Sequence, residues 1–324
     1  MQALSFRARS GSAVEQHVRR VLDRSVDLRM PELFVQPRGS LYHLPDRHGV
    51  TAIALRTSSL SEKQLSHIMS YRLAQYVLAN LIDRDVLFER QIESEPLSSV
   101  SPDDIHVLAG EPEHGQIYCY AVLRAIGTAS NAAALNTRDR PLFPVEQIFG
   151  WGIFNHLPSL SSLPINRVLE LSRFVKNHQA GGLGDRGVRS PIEVCVALHH
   201  VLCGPLFQTV DAVVGDVEEQ GAKRHLDLFH VPATMIRSRW PCSVEDADLY
   251  QVLRHRRFYP FAFMVADLAL QRSRLAAIEQ ALALPGDQAV RALCALKRTA
   301  QSPRSRLEPP VERGHAIRKY PLEG

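Results

Sequence analysis

The sequence predicts an α/β fold in which a central mixed sheet is flanked by helices and followed by a C-terminal helical extension. Three stretches carry this prediction. Residues 167–204 have the pattern of a strand, a glycine-rich turn and a helix, 103–126 that of a β-hairpin, and 208–228 that of a buried strand followed by a helix. Strands that alternate with helices are typical of a sheet covered by helical layers.

The composition is that of a globular protein. Of 324 residues, 45% are hydrophobic and 22% are charged, which is enough to bury a sizeable core. No run approaches the ~18 apolar residues of a membrane helix, and no secretory signal is visible at the start. The five cysteines are scattered and form no C-x-x-C pair. We therefore expect reduced thiols and a cytoplasmic protein without an integral membrane segment.

The formal net charge is +4, and it belongs to the end of the chain. From Lys297 onward there are seven Lys and Arg residues against three Glu, so the preceding part is balanced. A nucleic-acid-binding body would carry a basic face of its own, which argues against nucleic acid as a partner.

The pattern divides the chain into four segments. We predict an N-terminal extension over 1–58, a core over 59–240, a helical extension over 241–297 and a disordered basic tail over 298–324. Helical patterns within the extension cover 244–257, 261–283 and 287–297.

The first helix of the core is predicted to begin at a capping box formed by Ser59 and Glu62. Arg72 falls on its apolar face, one turn before Tyr76. Either the arginine stem packs while its head reaches water, or the guanidinium faces a pocket.

The hairpin carries a second candidate arginine. A period of two places Tyr118, Tyr120 and Arg124 on one face of its second strand. Arg124 is either a solvent-facing edge residue or the partner of an acidic residue about twenty positions earlier, Asp103 or Asp104.

The stretch from 167 to 204 suggests a phosphate cradle. A strand leads into a turn rich in glycine, and the helix is predicted to start with Ser190 as its cap, Pro191 at its first position and Glu193 completing the capping box. Backbone N–H groups and the helix dipole favour an anion in such a place. An ordinary strand-to-helix connection has the same pattern.

Cys195, His199 and Cys203 are spaced four residues apart on that helix. Ligands spread over two turns, about 12 Å, cannot converge on one ion, so we predict no metal site. A Cys/His nucleophilic pair would lack an orienting acid. We interpret these residues as a packed helix face.

Two adjacent motifs resemble known families. Residues 179–184 resemble the Q-x-x-G-x-G loop that grips the coenzyme A pyrophosphate in the GNAT acetyltransferase superfamily. Residues 170–174 resemble the E-x-S-R-F signature of the N-acyl-homoserine lactone synthases and the long-chain N-acyl amino acid synthases, which are GNAT-fold enzymes. The resemblance covers roughly residues 60–240 and implies a GNAT-like acyltransferase core.

The resemblance implies an N-acyltransferase that moves a fatty acyl group to the amine of an amino acid or a related small molecule. Acyl-CoA or acyl carrier protein would be the co-substrate, with no tightly bound cofactor. One alternative is a homoserine lactone synthase acting on S-adenosylmethionine, although Ile82 replaces the tryptophan of those families. The other is a non-catalytic module that binds an acyl carrier or another partner.

The same resemblance assigns roles to residues. Glu170 is the candidate general base, with Ser172 and Arg173 beside it. Strict alternation would place Glu170 and Arg173 on opposite faces, so the resemblance implies a β-bulge, which would also free a backbone N–H for the thioester oxygen.

The resemblance also implies which residues bind the donor and the acceptor. The implied donor site comprises Phe174, Val175, Gln179, Gly181, Gly182, Gly184, Arg186 and Arg189. The implied acceptor site comprises Arg72, Tyr76, Asp103, Asp104 and Arg124. The implied acyl tunnel comprises Phe143, Phe149, Trp151 and Phe154. Acidic carrier proteins would be steered by a basic rim of Arg186, Arg189, Arg237, Arg239, Arg254, Arg256 and Arg257.

Overall fold

A computed structural model describes most of the chain. The described ranges are 2–27, 29–35, 38–97, 100–126, 132–178, 184–218, 221–236, 258–299 and 307–308. Gln179, Gly181 and Gly182 lie outside them, as do five of the rim arginines: Arg237, Arg239, Arg254, Arg256 and Arg257.

The strands form one mixed sheet. They are β1 Ser40–Leu44, β2 Thr51–Arg56, β3 Ile105–Gly110, β4 Ile117–Ala125, β5 Val168–Lys176, β6 Ala212–Glu218, β7 Thr234–Ile236, β8 Phe258–Met264 and β9 Leu307–Glu308. Their order is β1-β2-β3-β4-β5-β6-β8-β7-β9. Neighbours are antiparallel except for β5 with β6 and β7 with β9.

Helices cover both faces of this sheet. They are α1 Gln2–Asp27, α2 Pro31–Val35, α3 Glu62–Leu78, α4 Arg84–Glu89, α5 Pro144–Phe149, α6 Pro158–Ser161, α7 Asp185–Cys203, α8 Lys223–Leu228, α9 Val265–Ala269, α10 Arg272–Leu282 and α11 Gly286–Thr299. None of those described is both long and apolar enough to cross a membrane.

The side-chain period of two decides which layer each strand residue joins. Val213 and Phe261 pack with α7 on one face, whereas Val214 and Ala262 pack with the α5–α6 region on the other. Helices α1 and α3 cover the rest of that second face. The helices α10 and α11 pack on the outer side of α7. The predicted fold class is therefore confirmed.

Several predicted boundaries shift. Residues 258–264, placed partly in a helix from the sequence, form β8 inside the sheet because their aromatic side chains are buried against β6 and α7. β1 and β2 precede residue 58 yet belong to the same sheet as the later strands. The cap of α3 is Ser61 with Gln64, two residues after the predicted box.

The predicted start of α7 was also wrong. The helix begins at Asp185, Gly184 occupies the cap with a φ of 49°, and Pro191 lies within the helix. Glu193 does not close a capping box, because its buried carboxylate accepts from Arg47 at 3.3 Å. Pro191 is the seventh residue of α7, beyond the first turn, so its missing N–H removes the backbone hydrogen bond that would reach the carbonyl of Gly187.

Candidate functional site

The parallel strands β5 and β6 separate partway along their length. Their pairing runs from Val168 opposite Ala212 to Leu171 opposite Gly215, and then ends. Beyond that point β6 pairs with β8 as far as Glu218, while β5 stays with β4. A split therefore opens between the C-terminal halves of the two strands.

A β-bulge in β5 lies at this split. Ser172 and Val175 are three residues apart but pair with Val122 and Tyr120, which are two apart. Arg173 sits in the bulge with a φ of 58°, a left-handed conformation that a non-glycine residue seldom adopts. The predicted bulge is thus present, and it is centred on Arg173.

Glu170 precedes the bulge and pairs in regular register with Arg124, whereas the bulge turns Arg173 toward the same face of the sheet as Glu170. Glu170 accepts a hydrogen bond from the backbone N–H of Val145 in α5, at 3.1 Å. The guanidinium of Arg173 lies 5.7 Å from the centre of the Tyr76 ring in α3. Both therefore point away from α7.

Glu170 is almost completely buried, with 1% of its surface exposed. Burial raises its pKa from 4.5 to about 8. The Val145 N–H and the charges of Arg124 and Arg173 oppose the rise, and Asp216 adds to it. A carboxyl group with such a pKa can exchange a proton near neutral pH.

A buried ion pair lies beside Arg173. Arg72 and Glu95 are 2.5 Å apart with 6% and 5% of their side chains exposed, and Arg173 reaches Glu95 at 3.7 Å. The charged head of Arg72 is therefore buried and does not reach water. Its guanidinium also lies 5.5 Å from the centre of the Tyr120 ring. Sequence reasoning missed Glu95, since a single acidic residue in a polar connection carries no pattern.

Asp104, and not Asp103, belongs to this site. Asp104 is buried and accepts from the backbone N–H of Ala125 at 2.9 Å, with Arg124 at 3.9 Å. Asp103 is exposed and lies 3.7 Å from Arg56. The carboxylate–guanidinium pair expected from the sequence is therefore Asp104 with Arg124.

His106 extends the polar site under β3. Its ring nitrogens lie 2.9 Å from the Thr57 hydroxyl and 2.8 Å from the Tyr120 hydroxyl. Burial lowers the pKa of His106 to about 3, so the ring is neutral at physiological pH. Tyr118 does not join this face, because a register shift near Gly110 places it in the α7 layer.

A cavity of about 80 Å³ opens at the split on the α7 side. Most of its lining is apolar and comes from β5, β6, β8, α7 and α8, with Phe174, Leu198, Leu202, Phe229 and Phe263 among its members. Ser172, Arg173 and Asp216 line it where the strands part. Arg173 and Asp216 also interact with Glu170, so they link the cavity to the polar site.

The predicted tunnel residues are not brought to this cavity. Phe143, Phe149 and Phe154 are buried in the core on the opposite face of the sheet. Trp151 is 39% exposed and carries Arg138 over its ring at 5.6 Å. Leu198 and Leu202 of α7 line the cavity instead.

The donor residues separate into different environments. Val175 is buried in the core under α1 and α3. Arg186 is exposed at the start of α7, 3.4 Å from Glu111. Arg189 is completely buried and donates to the carbonyls of Leu282 and Leu284, so its predicted place on a carrier-steering rim was wrong.

Cys195 and His199 line the cavity side by side on α7. Burial raises the pKa of the Cys195 thiol to about 12, so the thiol stays protonated. A protonated thiol is a poor nucleophile, which agrees with the interpretation of this helix face as packing.

No family model matches the chain, and no curated protein matches it. It resembles solved structures, among them TofI in an apo form, with 17% identity over 69% of this chain and 95% of that one and a TM-score of 0.39. FeeM, an N-acyl amino acid synthase from uncultured soil microbes, matches with 11% identity over 68% and 94% and a TM-score of 0.40. BjaI, a CoA-dependent acyl-homoserine lactone synthase, matches with 15% identity over 74% and 96% and a TM-score of 0.36.

Proposed function

We propose that this protein is an N-acyltransferase that moves a fatty acyl group from an acyl thioester to the amine of an amino acid or a related small molecule. The observation that carries the proposal is the split between β5 and β6, where an apolar cavity meets a buried polar site. The thioester donor is acyl-CoA or an acyl carrier protein.

The split suits a thioester donor. The apolar lining, with side chains such as Leu198, Leu202 and Phe263, suits a short segment of the acyl tail, because the cavity of about 80 Å³ would remove that segment from water. The thioester carbonyl then lies near Ser172 and Arg173, where the strands part. Gly184, at the start of α7, would lie beside the phosphates of the donor.

The acceptor amine enters from the opposite face. Arg72, Tyr76 and Arg124 bound the polar site there, with Asp104 and Glu95 holding the arginines in place. Two arginines share the single carboxylate of Glu95, so the site favours an acceptor that carries a negative group as well as its amine.

Glu170 supplies the base. The amine nitrogen attacks the thioester carbonyl carbon and forms the C–N bond of the amide. The proton leaves the nitrogen for Glu170, directly or through water, the C–S bond breaks, and the thiolate takes up a proton. A pKa of about 8 leaves a useful fraction of Glu170 ionised at neutral pH, and Arg124 and Arg173 favour that form.

Ser172 is positioned to assist at the oxygen. Its hydroxyl lines the cavity at the split and is buried without a hydrogen-bond partner among the described residues. Donation to the thioester oxygen as negative charge develops would stabilise the transition state. We assign Ser172 this role beside Glu170.

The test is direct. The protein is incubated with acyl-CoA or acyl carrier protein and a mixture of amino acids, and mass spectrometry follows the amide and the free thiol. We expect both products from the wild type, little of either from Glu170→Gln, and unchanged yields from Glu93→Gln, a half-exposed surface carboxylate. Free thiol without amide would indicate a hydrolase, and neither product would indicate a binding module.

A further inference from the structure

The proton that Glu170 takes from the amine has few routes away from that residue. Glu170 is 1% exposed, so it does not release the proton directly to bulk water. Among the described groups that act on Glu170, Arg124 and Arg173 cannot be deprotonated in a protein, and the backbone N–H of Val145 can only donate. The remaining group is the carboxyl of Asp216 in β6, which can accept a proton.

Asp216 is the first residue of β6 beyond the last pair with β5. That pair is Leu171 with Gly215, so Asp216 begins the β6 edge of the split. Val214 lies opposite Glu170 and packs on the side of the sheet that α5 covers. Because side chains alternate along a strand, Asp216, two residues after Val214, is on the face that carries Glu170. Asp216 therefore lies between Glu170 and the opening of the split.

Asp216 also lines the cavity where the thioester lies in the proposed reaction. Ser172 and Arg173 line it from the β5 edge, and Asp216 lines it from the β6 edge. A thioester whose carbonyl lies near Ser172 would have its sulfur, one bond from the carbonyl carbon, in the same opening. Asp216 thus borders both the base and the leaving group.

The carboxyl of Asp216 can hold a proton, as a relay requires. Burial raises its pKa above the ordinary value, while the charge of Arg173 opposes the rise. Asp216 in turn raises the pKa of Glu170, so ionisation of one carboxyl favours retention of a proton by the other. Arg173 acts on both carboxyls and offsets part of their mutual repulsion.

We propose that Asp216 is a catalytic residue that carries the proton from Glu170 to the departing sulfur. This inference rests on the proposed function, since it needs the thioester at the split. The amine nitrogen bonds to the carbonyl carbon, and its proton passes to the Glu170 carboxylate. Glu170 passes the proton to Asp216, directly or through a water, and Asp216 gives it to the sulfur as the C–S bond breaks. Both carboxyls then return to their starting state, and one amide and one thiol have formed.

The experiment varies how much the leaving sulfur needs a proton. A butanoyl group is linked either to N-acetylcysteamine, an aliphatic thiol, or to para-acetamidothiophenol, an aromatic thiol that leaves readily as the thiolate. Amide formation with the amino acid mixture is followed in single turnovers, with protein in excess, for wild type, Asp216→Asn and Asp267→Asn. Asp267 is exposed on α9 and serves as the control. Melting curves establish that each variant is folded.

We expect Asp216→Asn to slow amide formation from the aliphatic thioester about a hundredfold, the range for loss of a proton-transfer group, and to affect the aromatic thioester far less. Asp267→Asn should match the wild type with both thioesters. An equal loss with both thioesters in Asp216→Asn, or no loss with either, would overturn the inference while leaving the acyltransferase intact.

A measurement on the wild type alone covers the case in which Asp216→Asn does not fold. In water an amine reacts faster with the aromatic thioester than with the aliphatic one, and this ratio of rates is measured without protein. A protein that protonates the sulfur should make the ratio smaller, and a wild-type ratio as large as that in water would overturn the inference. Absence of amide from both thioesters, from acyl-CoA and from acyl carrier protein would instead overturn the proposed function, and the relay with it.

Discussion

Arg124 and Glu170 occupy directly opposite positions on the antiparallel strands β4 and β5. The guanidinium lowers the pKa of the buried carboxyl, yet that pKa is still raised to about 8 because burial is the larger effect. Arg124 is shared with Asp104, 3.9 Å away, so its charge is only partly available to Glu170. Burial and the partial charge of Arg124 together keep the pKa of Glu170 close to neutral pH, where a general base is useful.

We predict that Glu170→Gln lowers kcat about a hundredfold or more, the range for loss of a general base. The glutamine side chain has nearly the same shape, so the hydrogen bond from the Val145 N–H should survive and the fold should be kept. Steady-state kinetics with circular dichroism on the same sample provides the measurement. Unchanged turnover would make Glu170 a structural residue.

The same substitution should change the pH dependence of stability. The folded pKa of Glu170 is about 8, above its ordinary 4.5, so the folded state holds the proton more tightly than the unfolded state. The contribution of Glu170 to the free energy of unfolding is therefore fully present at low pH, and it is lost as the pH rises from about 4.5 through about 8. Urea unfolding should show that the free energy of unfolding of Glu170→Gln increases relative to that of the wild type as the pH rises across that window. A constant difference would contradict the raised pKa.

Breaking the buried pair of Arg72 and Glu95 should be costly. Removing one partner leaves a buried charge poorly compensated, so Arg72→Met is expected to lose about 3–5 kcal/mol of the free energy of unfolding. The double variant with Glu95→Leu should recover part of this loss. Arg24→Gln, in an exposed pair with Glu93, is the control and should cost ~1 kcal/mol or less. If Arg72→Met and Arg24→Gln lost the same free energy of unfolding, burial would not increase the cost of breaking an ion pair in this protein.

Arg186 is the remaining described candidate for steering an acidic carrier. Its side chain is 44% exposed, so Arg186→Gln should slow the reaction with acyl carrier protein at low salt and leave that with acyl-CoA nearly unchanged. The wild-type carrier reaction should also slow as salt rises to physiological strength. Arg138→Gln, exposed elsewhere, is the matched control. An identical salt response of both donors would exclude steering.

The sequence by itself determined the elements that local pattern encodes. The strand at 168–176, the hairpin of β3 and β4, and Arg72 on the apolar face of α3 follow from periodicity. The motif around Glu170 also indicated the bulge, although alternation alone argued against it. These features depend on residues near one another in the chain.

The tertiary structure decided what depends on distant residues. The sequence did not show that Glu95 would lie between Arg72 and Arg173, that Arg189 would be buried under α10, or that Phe258–Met264 would be a strand. Each outcome is set by burial against segments far away in the chain, and such packing overrides local propensity. The aromatic segment around Phe143 joined a core on one face of the sheet, while the cavity formed on the other, for the same reason.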